Sequence, residues 1–128
     1  MHAHDTRSPL ARAVGLGSAK SGTERWIAER VSAVALVPLT LWFIVGILAH
    51  VDSGYGGYYA WLHALSTTIL MTLLLLALLY HTALGLQVII EDYVHSGFKF
   101  AALIAVRFGC FAVAVTGLIA LLRISWST

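Results

Sequence analysis

Charge is scarce in this chain. Asp, Glu, Lys and Arg together make up 11% of its 128 residues, where a water-soluble domain carries about 25%. So few ionised groups cannot cover a globule in water, which excludes an ordinary soluble domain. Cysteine is nearly absent. The single thiol, Cys110, lies in an apolar run, so no internal disulfide or CxxC metal site can form, and the side chain reads as a small hydrophobe. Two prolines are too few for a disordered chain. The formal net charge of +2 leaves no electrostatic footprint for nucleic acid. There is no internal repeat and no low-complexity tract.

What is abundant is apolar surface, at 59% of residues. It falls into runs at 31–49, 62–90 and 101–122, broken only by His63, His81, Gln87 and Arg107 among the larger polar side chains. A span needs about 20 apolar residues to cross a hydrocarbon core of about 30 Å. Lipid offers the backbone no hydrogen bonds, so each run must be a helix. The expected fold is therefore all-α and integral to a membrane, with spans near 30–49, 62–92 and 99–123 inside a unit at 22–128. The second run exceeds the core thickness, so its helix tilts or extends beyond it. Pro38 predicts a kink in the first span. A flexible amino-terminal segment is expected at 1–21, where Gly15, Gly17, Ser18 and Ser21 accumulate.

The connection VDSGYGGYYAW after the first span reads as a loop with an interfacial belt of Tyr55, Tyr58, Tyr59 and Trp61. Arg7, Arg12, Lys20, Arg25 and Arg30 precede the first span, Lys99 follows the second, and the first connection has no Lys or Arg. The positive-inside rule then puts the amino terminus and the second connection on the cytoplasmic side. The short leader contains Asp5 and does not read as a transit peptide, which favours a bacterial inner membrane over a mitochondrial one.

One stretch carries chemistry. In LLYHTALGLQVIIEDYV, His81 stands deep within the second span, and an ionisable group there is a functional-site hypothesis. Gly85 is one turn further on the same face and would let a flat ligand or another helix approach closely. Asp92 follows His81 by about three turns, roughly 16 Å along the axis, with Tyr93 beside it at the inner edge. An imidazole can ligate iron, and a phenol and carboxylate can bind a carbonyl-bearing ligand. The residues alone leave other readings open: His81 bonded to a neighbouring helix or lining a polar cavity, and Asp92 and Tyr93 as a plain helix terminus. Arg30, at the same membrane level, is either a snorkelling anchor or a fork for carboxylates. Arg25 and Glu29 are spaced to pair on one helix surface. His50, His63 and His95 read as interfacial side chains, and Arg107 as a snorkelling cation. Ser32, Thr67, Thr68 and Thr116 are expected to bond to backbone or neighbouring helices.

HTALGLQVIIEDYV, with His81, Gly85, Gln87, Val88, Asp92 and Tyr93 in place, resembles the second-helix signature of the small membrane anchors of succinate dehydrogenase (respiratory complex II). RWIAERVSAV, with Arg30, resembles that family's entry to the first helix. The resemblance covers about residues 22–122. It implies that His81 is an axial ligand of haem b, and that Tyr93 hydrogen-bonds a ubiquinone carbonyl with support from Asp92. It also implies that Arg30 lies near the haem propionates and the quinone pocket. The implied partners are the larger cytochrome b anchor subunit, which supplies the second haem histidine, the iron–sulfur subunit and the flavoprotein subunit. A six-coordinate haem needs two axial ligands, and this chain offers one deep histidine. The chain has no domain for a flavin or an iron–sulfur cluster, so it is non-catalytic alone. Asp92 either orients Tyr93 or conducts protons. Two other readings are a haem-free fumarate reductase anchor and a small transporter subunit with a proton path through His81 and Asp92.

Overall fold

A computed structural model describes residues 9–10 and 18–127. Within it the apolar runs become three long helices, α1 (Ser18–His50), α3 (Leu65–Tyr93) and α4 (Phe98–Trp126), with a short helix α2 (Gly54–His63) between the first two. The flexible segment expected at 1–21 lies largely outside the described residues, and Ser18 already begins α1. The stretches Gly22–His50, Leu65–Tyr93 and Phe98–Trp126 are each long and apolar enough to cross a membrane. At about 1.5 Å per residue each reaches roughly 43 Å, past the hydrocarbon core and into the headgroup layer. α1 continues through Pro38 without a break.

Among the described residues no hydrophobic side chain is buried, and only the hydroxyl residues Ser32 (6% exposed) and Thr67 (3%) are. This inverts the pattern of a soluble domain and suits a chain whose solvent is lipid. Among the described residues, α1 and α4 both pack along α3 and not against each other, so the long helices form a single layer with α3 in the middle. Close approach is made where a side chain is missing. A Cβ on Gly117 of α4 would stand 2.6 Å from Cδ2 of Leu75 on α3. Other hydroxyls fold back on the carbonyl four residues earlier in their own helix, as in Thr72 to Thr68 (2.8 Å) and Thr116 to Ala112 (2.8 Å).

The connection expected to be a loop is instead helix α2. Glycines at 54, 56 and 57 weaken its intrinsic propensity, but its aromatic residues fall at helical spacing. Tyr55 stacks on Tyr59 (centroids 5.8 Å apart), Tyr59 meets His63 (4.0 Å), and Tyr58 meets Trp61 (5.5 Å). Contacts three and four residues apart exist only if the segment coils. Trp61 then stacks on His50 at 5.0 Å and tilts against Trp42 at 6.1 Å. It fits because α1 has Gly46 there, where a Cβ would lie 2.5 Å from the indole Cζ2. At the other edge of α2, Tyr59 Oη lies 3.0 Å from Ser127 Oγ, and His63 Nε2 lies 2.6 Å from the Ser127 carbonyl oxygen. The short helix thus fastens the end of α1 to the end of α4.

Candidate functional site

His81 sits in the seam between α1 and α3. Its Nδ1 is 3.0 Å from the hydroxyl of Ser32 on α1, and that hydroxyl lies 2.9 Å from the carbonyl oxygen of Glu29 one turn earlier. Ser32 is small enough to be enclosed where the helices touch, and its position places its oxygen against the imidazole. Among the described residues the other ring nitrogen, Nε2, has no hydrogen-bond partner.

Around α3, at roughly 100° per residue, Gly85 is about 40° and Asp92 about 20° from His81. A Cβ on Gly85 would meet nothing within 4 Å, so the stripe next to the imidazole is open to a group from outside the chain. Asp92 and Tyr93 end this helix; both are exposed, Tyr93 at 80%. They make no contact with His81, from which Asp92 is separated by roughly 16 Å along the axis. Arg30 is about 160° around α1 from Ser32, on the side turned away from α3. Its guanidinium lies over the Trp26 ring, 5.3 Å from the centroid. The structure therefore brings His81 and Ser32 together and leaves Arg30, Asp92 and Tyr93 outward-facing.

The end of the layer that carries Asp92 is organised by Glu91, which the sequence pattern alone did not single out. Glu91 Oε2 accepts from Arg25 Nη1 at 2.7 Å, Glu91 Oε1 accepts from Gln87 Nε2 at 2.9 Å, and the Glu91 carbonyl accepts from Lys99 Nζ at 3.3 Å. Side chains of α1, α3 and α4 meet there. Arg25 thus pairs across the seam rather than with Glu29 on its own helix. The order Arg-then-Glu is the weaker one for an i,i+4 pair, whereas Glu91 is also held by Gln87. The signal in the sequence was the i,i+4 pair Gln87–Glu91, which pre-orients the carboxylate at a helix end.

No group of three or more His, Cys, Asp or Glu that could hold a metal ion occurs among the described residues. His81 can serve iron only as one ligand of a site completed from outside the chain. The donor set fits that role: a lone imidazole oriented through Nδ1, with Nε2 available and an open stripe beside it. An apolar helical layer with an inward imidazole and a polar, outward-facing terminus is the plan of a membrane-embedded subunit that works with others.

The comparisons agree. The family of succinate dehydrogenase/fumarate reductase transmembrane subunits matches residues 4–122, and the chain belongs to that family. Similar proteins include succinate dehydrogenase hydrophobic membrane anchor subunits. That of Rickettsia bellii is 35% identical over 91 residues, 71% of this chain and 73% of the relative. That of Paracoccus denitrificans is 32% identical over 117 residues, 91% and 90% of the two chains. That of Rickettsia conorii is 28% identical over 120 residues, 92% and 95%. The comparison with solved structures gives no match.

Proposed function

We propose that this chain is the small membrane anchor of a succinate:ubiquinone oxidoreductase, contributing His81 to a haem b and Asp92 with Tyr93 to a ubiquinone-reduction site. The observation that carries the reading is the posture of His81: tethered at Nδ1 by Ser32, free at Nε2, and set in an apolar seam. Metal-bound histidines commonly have the other ring nitrogen hydrogen-bonded in this way. The sibling cytochrome b anchor would supply a second histidine. Arg30, on the outer side of α1 about 160° around the helix from Ser32, would supply a cation to propionates reaching that side. When bound, the haem provides a one-electron redox centre within the membrane.

The chain's own residues have separate tasks. His81 holds iron. Tyr93, exposed at the end of α3, donates a hydrogen bond to a quinone oxygen, and such a bond strengthens as negative charge develops on that oxygen. Asp92 precedes it on the His81 stripe and orients the phenol or relays protons from the aqueous side. The iron–sulfur subunit would close the pocket over these exposed groups, and the flavoprotein would oxidise succinate. The basic residues around the amino terminus and Lys99 support a cytoplasmic position for that end, in what we take to be a bacterial inner membrane.

The test is a reduced-minus-oxidised absorption spectrum of the complex that copurifies with the chain in mild detergent, reduced with succinate and then dithionite. A b-type signal is expected. An intact complex without one would remove the ligand role from His81 and favour the haem-free fumarate reductase anchor.

A further inference from the structure

The geometry points to Ser32 as the positioning residue that sets the tautomer of His81, through a hydrogen-bond relay from the imidazole to the hydroxyl to the Glu29 carbonyl. This rests on the reading of His81 as a haem ligand. The available protons decide the tautomer. A serine hydroxyl has one proton to give and two lone pairs to receive with. The Glu29 carbonyl oxygen, 2.9 Å away, can only accept, so the Ser32 proton goes there. Ser32 Oγ must then accept from His81 Nδ1 at 3.0 Å, which places the imidazole proton on Nδ1 and leaves a lone pair on Nε2. The opposite assignment, with Ser32 donating to Nδ1, would protonate Nε2, silence it as a ligand and leave the Glu29 contact without a proton. Only the first assignment satisfies both short distances.

The site supports this reading in a second way. Ser32 is 6% exposed, so water does not compete for the hydroxyl. The relay also crosses the seam between α1 and α3, so the ring angle of His81 is fixed by a different helix from the one that carries it. Residues in this supporting position typically govern metal affinity by about 10–100-fold.

The test uses the intact membrane complex carrying Ser32→Thr or Ser32→Val. These side chains have nearly the same shape and differ in the hydroxyl, so any packing cost is shared. Haem retention is measured against a haem-scavenging globin, and the haem midpoint potential is measured by redox titration. The Thr variant is expected to hold haem about 10–100-fold more tightly than the Val variant. Its potential should stay near that of the wild type. The potential of the Val variant should rise, because an imidazole that no longer donates from Nδ1 is a weaker base and stabilises ferric iron less. Equal retention and equal potential in the two variants would overturn the proposal while leaving His81 as a ligand. Haem content unchanged in His81→Ala would overturn the ligand reading itself, and this proposal with it.

Discussion

Arg25 on α1 and Glu91 on α3 form an ion pair of 2.7 Å across the helical layer. They are 66 residues apart in the chain. The two side chains are 48% and 28% exposed, so the pair lies at a wet rim. A pair of this exposure contributes about 0.2–1 kcal/mol. Arg25→Gln, Glu91→Gln and the double variant, compared by thermal unfolding of the detergent-solubilised complex, should give a coupling of that size that shrinks in high salt. Strict additivity of the two single changes would show that the contact contributes nothing.

His81→Ala is expected to empty the haem site while the protein still inserts and assembles in part. His63→Ala is the control within the same chain. Its ring is bonded to the Ser127 carbonyl oxygen at the opposite end of the layer, and its loss should leave the haem spectrum unchanged. Haem per complex, measured as the pyridine haemochrome, separates the two. A loss in the His63 variant as large as that in the His81 variant would point to collapse rather than ligation.

Tyr93→Phe keeps the ring and deletes the donor. A hydrogen bond to a charged acceptor is worth about 1.5–3 kcal/mol, so succinate-to-ubiquinone turnover should fall roughly 10- to 100-fold. Succinate oxidation by a soluble artificial acceptor should be unaffected. Parallel loss in both assays would mean misassembly of the head.

The two close-packed glycines should respond differently. Gly46 faces a rigid indole at 2.5 Å, whereas Gly117 faces the tip of a flexible leucine at 2.6 Å. Leu75 can turn aside, and alanine in a helix gains about 0.5–1 kcal/mol over glycine, so Gly117→Ala should be close to neutral. Gly46→Ala should cost about 1–3 kcal/mol of overpacking and be relieved by Trp61→Leu. Equal unfolding midpoints for the two alanine variants would refute this difference.

Much of this plan was legible in the chain. Three apolar runs can only be helices in lipid, and the spacing from His81 to Asp92 returns to one face whatever the surroundings. Three features were not legible. Helix α2 is held together by ring contacts that reach Trp42 and His50, and a propensity scale that counts its glycines cannot see them. Glu91 draws Arg25 away from Glu29 because the partner comes from another helix. Ser32 was expected to bond to backbone or to a neighbouring helix, and it bonds to both, but nothing local named His81 as the second partner. For Glu91 and Ser32 the deciding contact reaches beyond a single helix, and periodicity carries information only along one.

The layer has a consequence for how its surroundings act on it. Among the described residues α1 and α4 make no contact with each other. Apart from Ser32 with His81, the polar ties seen between the helices among the described residues sit at the two rims: Arg25, Glu91 and Lys99 at one, Tyr59, His63 and Ser127 at the other. Helices of this length crossing a hydrocarbon core of about 30 Å would put those rims in the headgroup zones. Bilayer thickness and headgroup charge therefore pull directly on the fastenings, while the hydrocarbon between them grips only smooth apolar sides. A thinner or more anionic membrane would act on this fold from its edges inward.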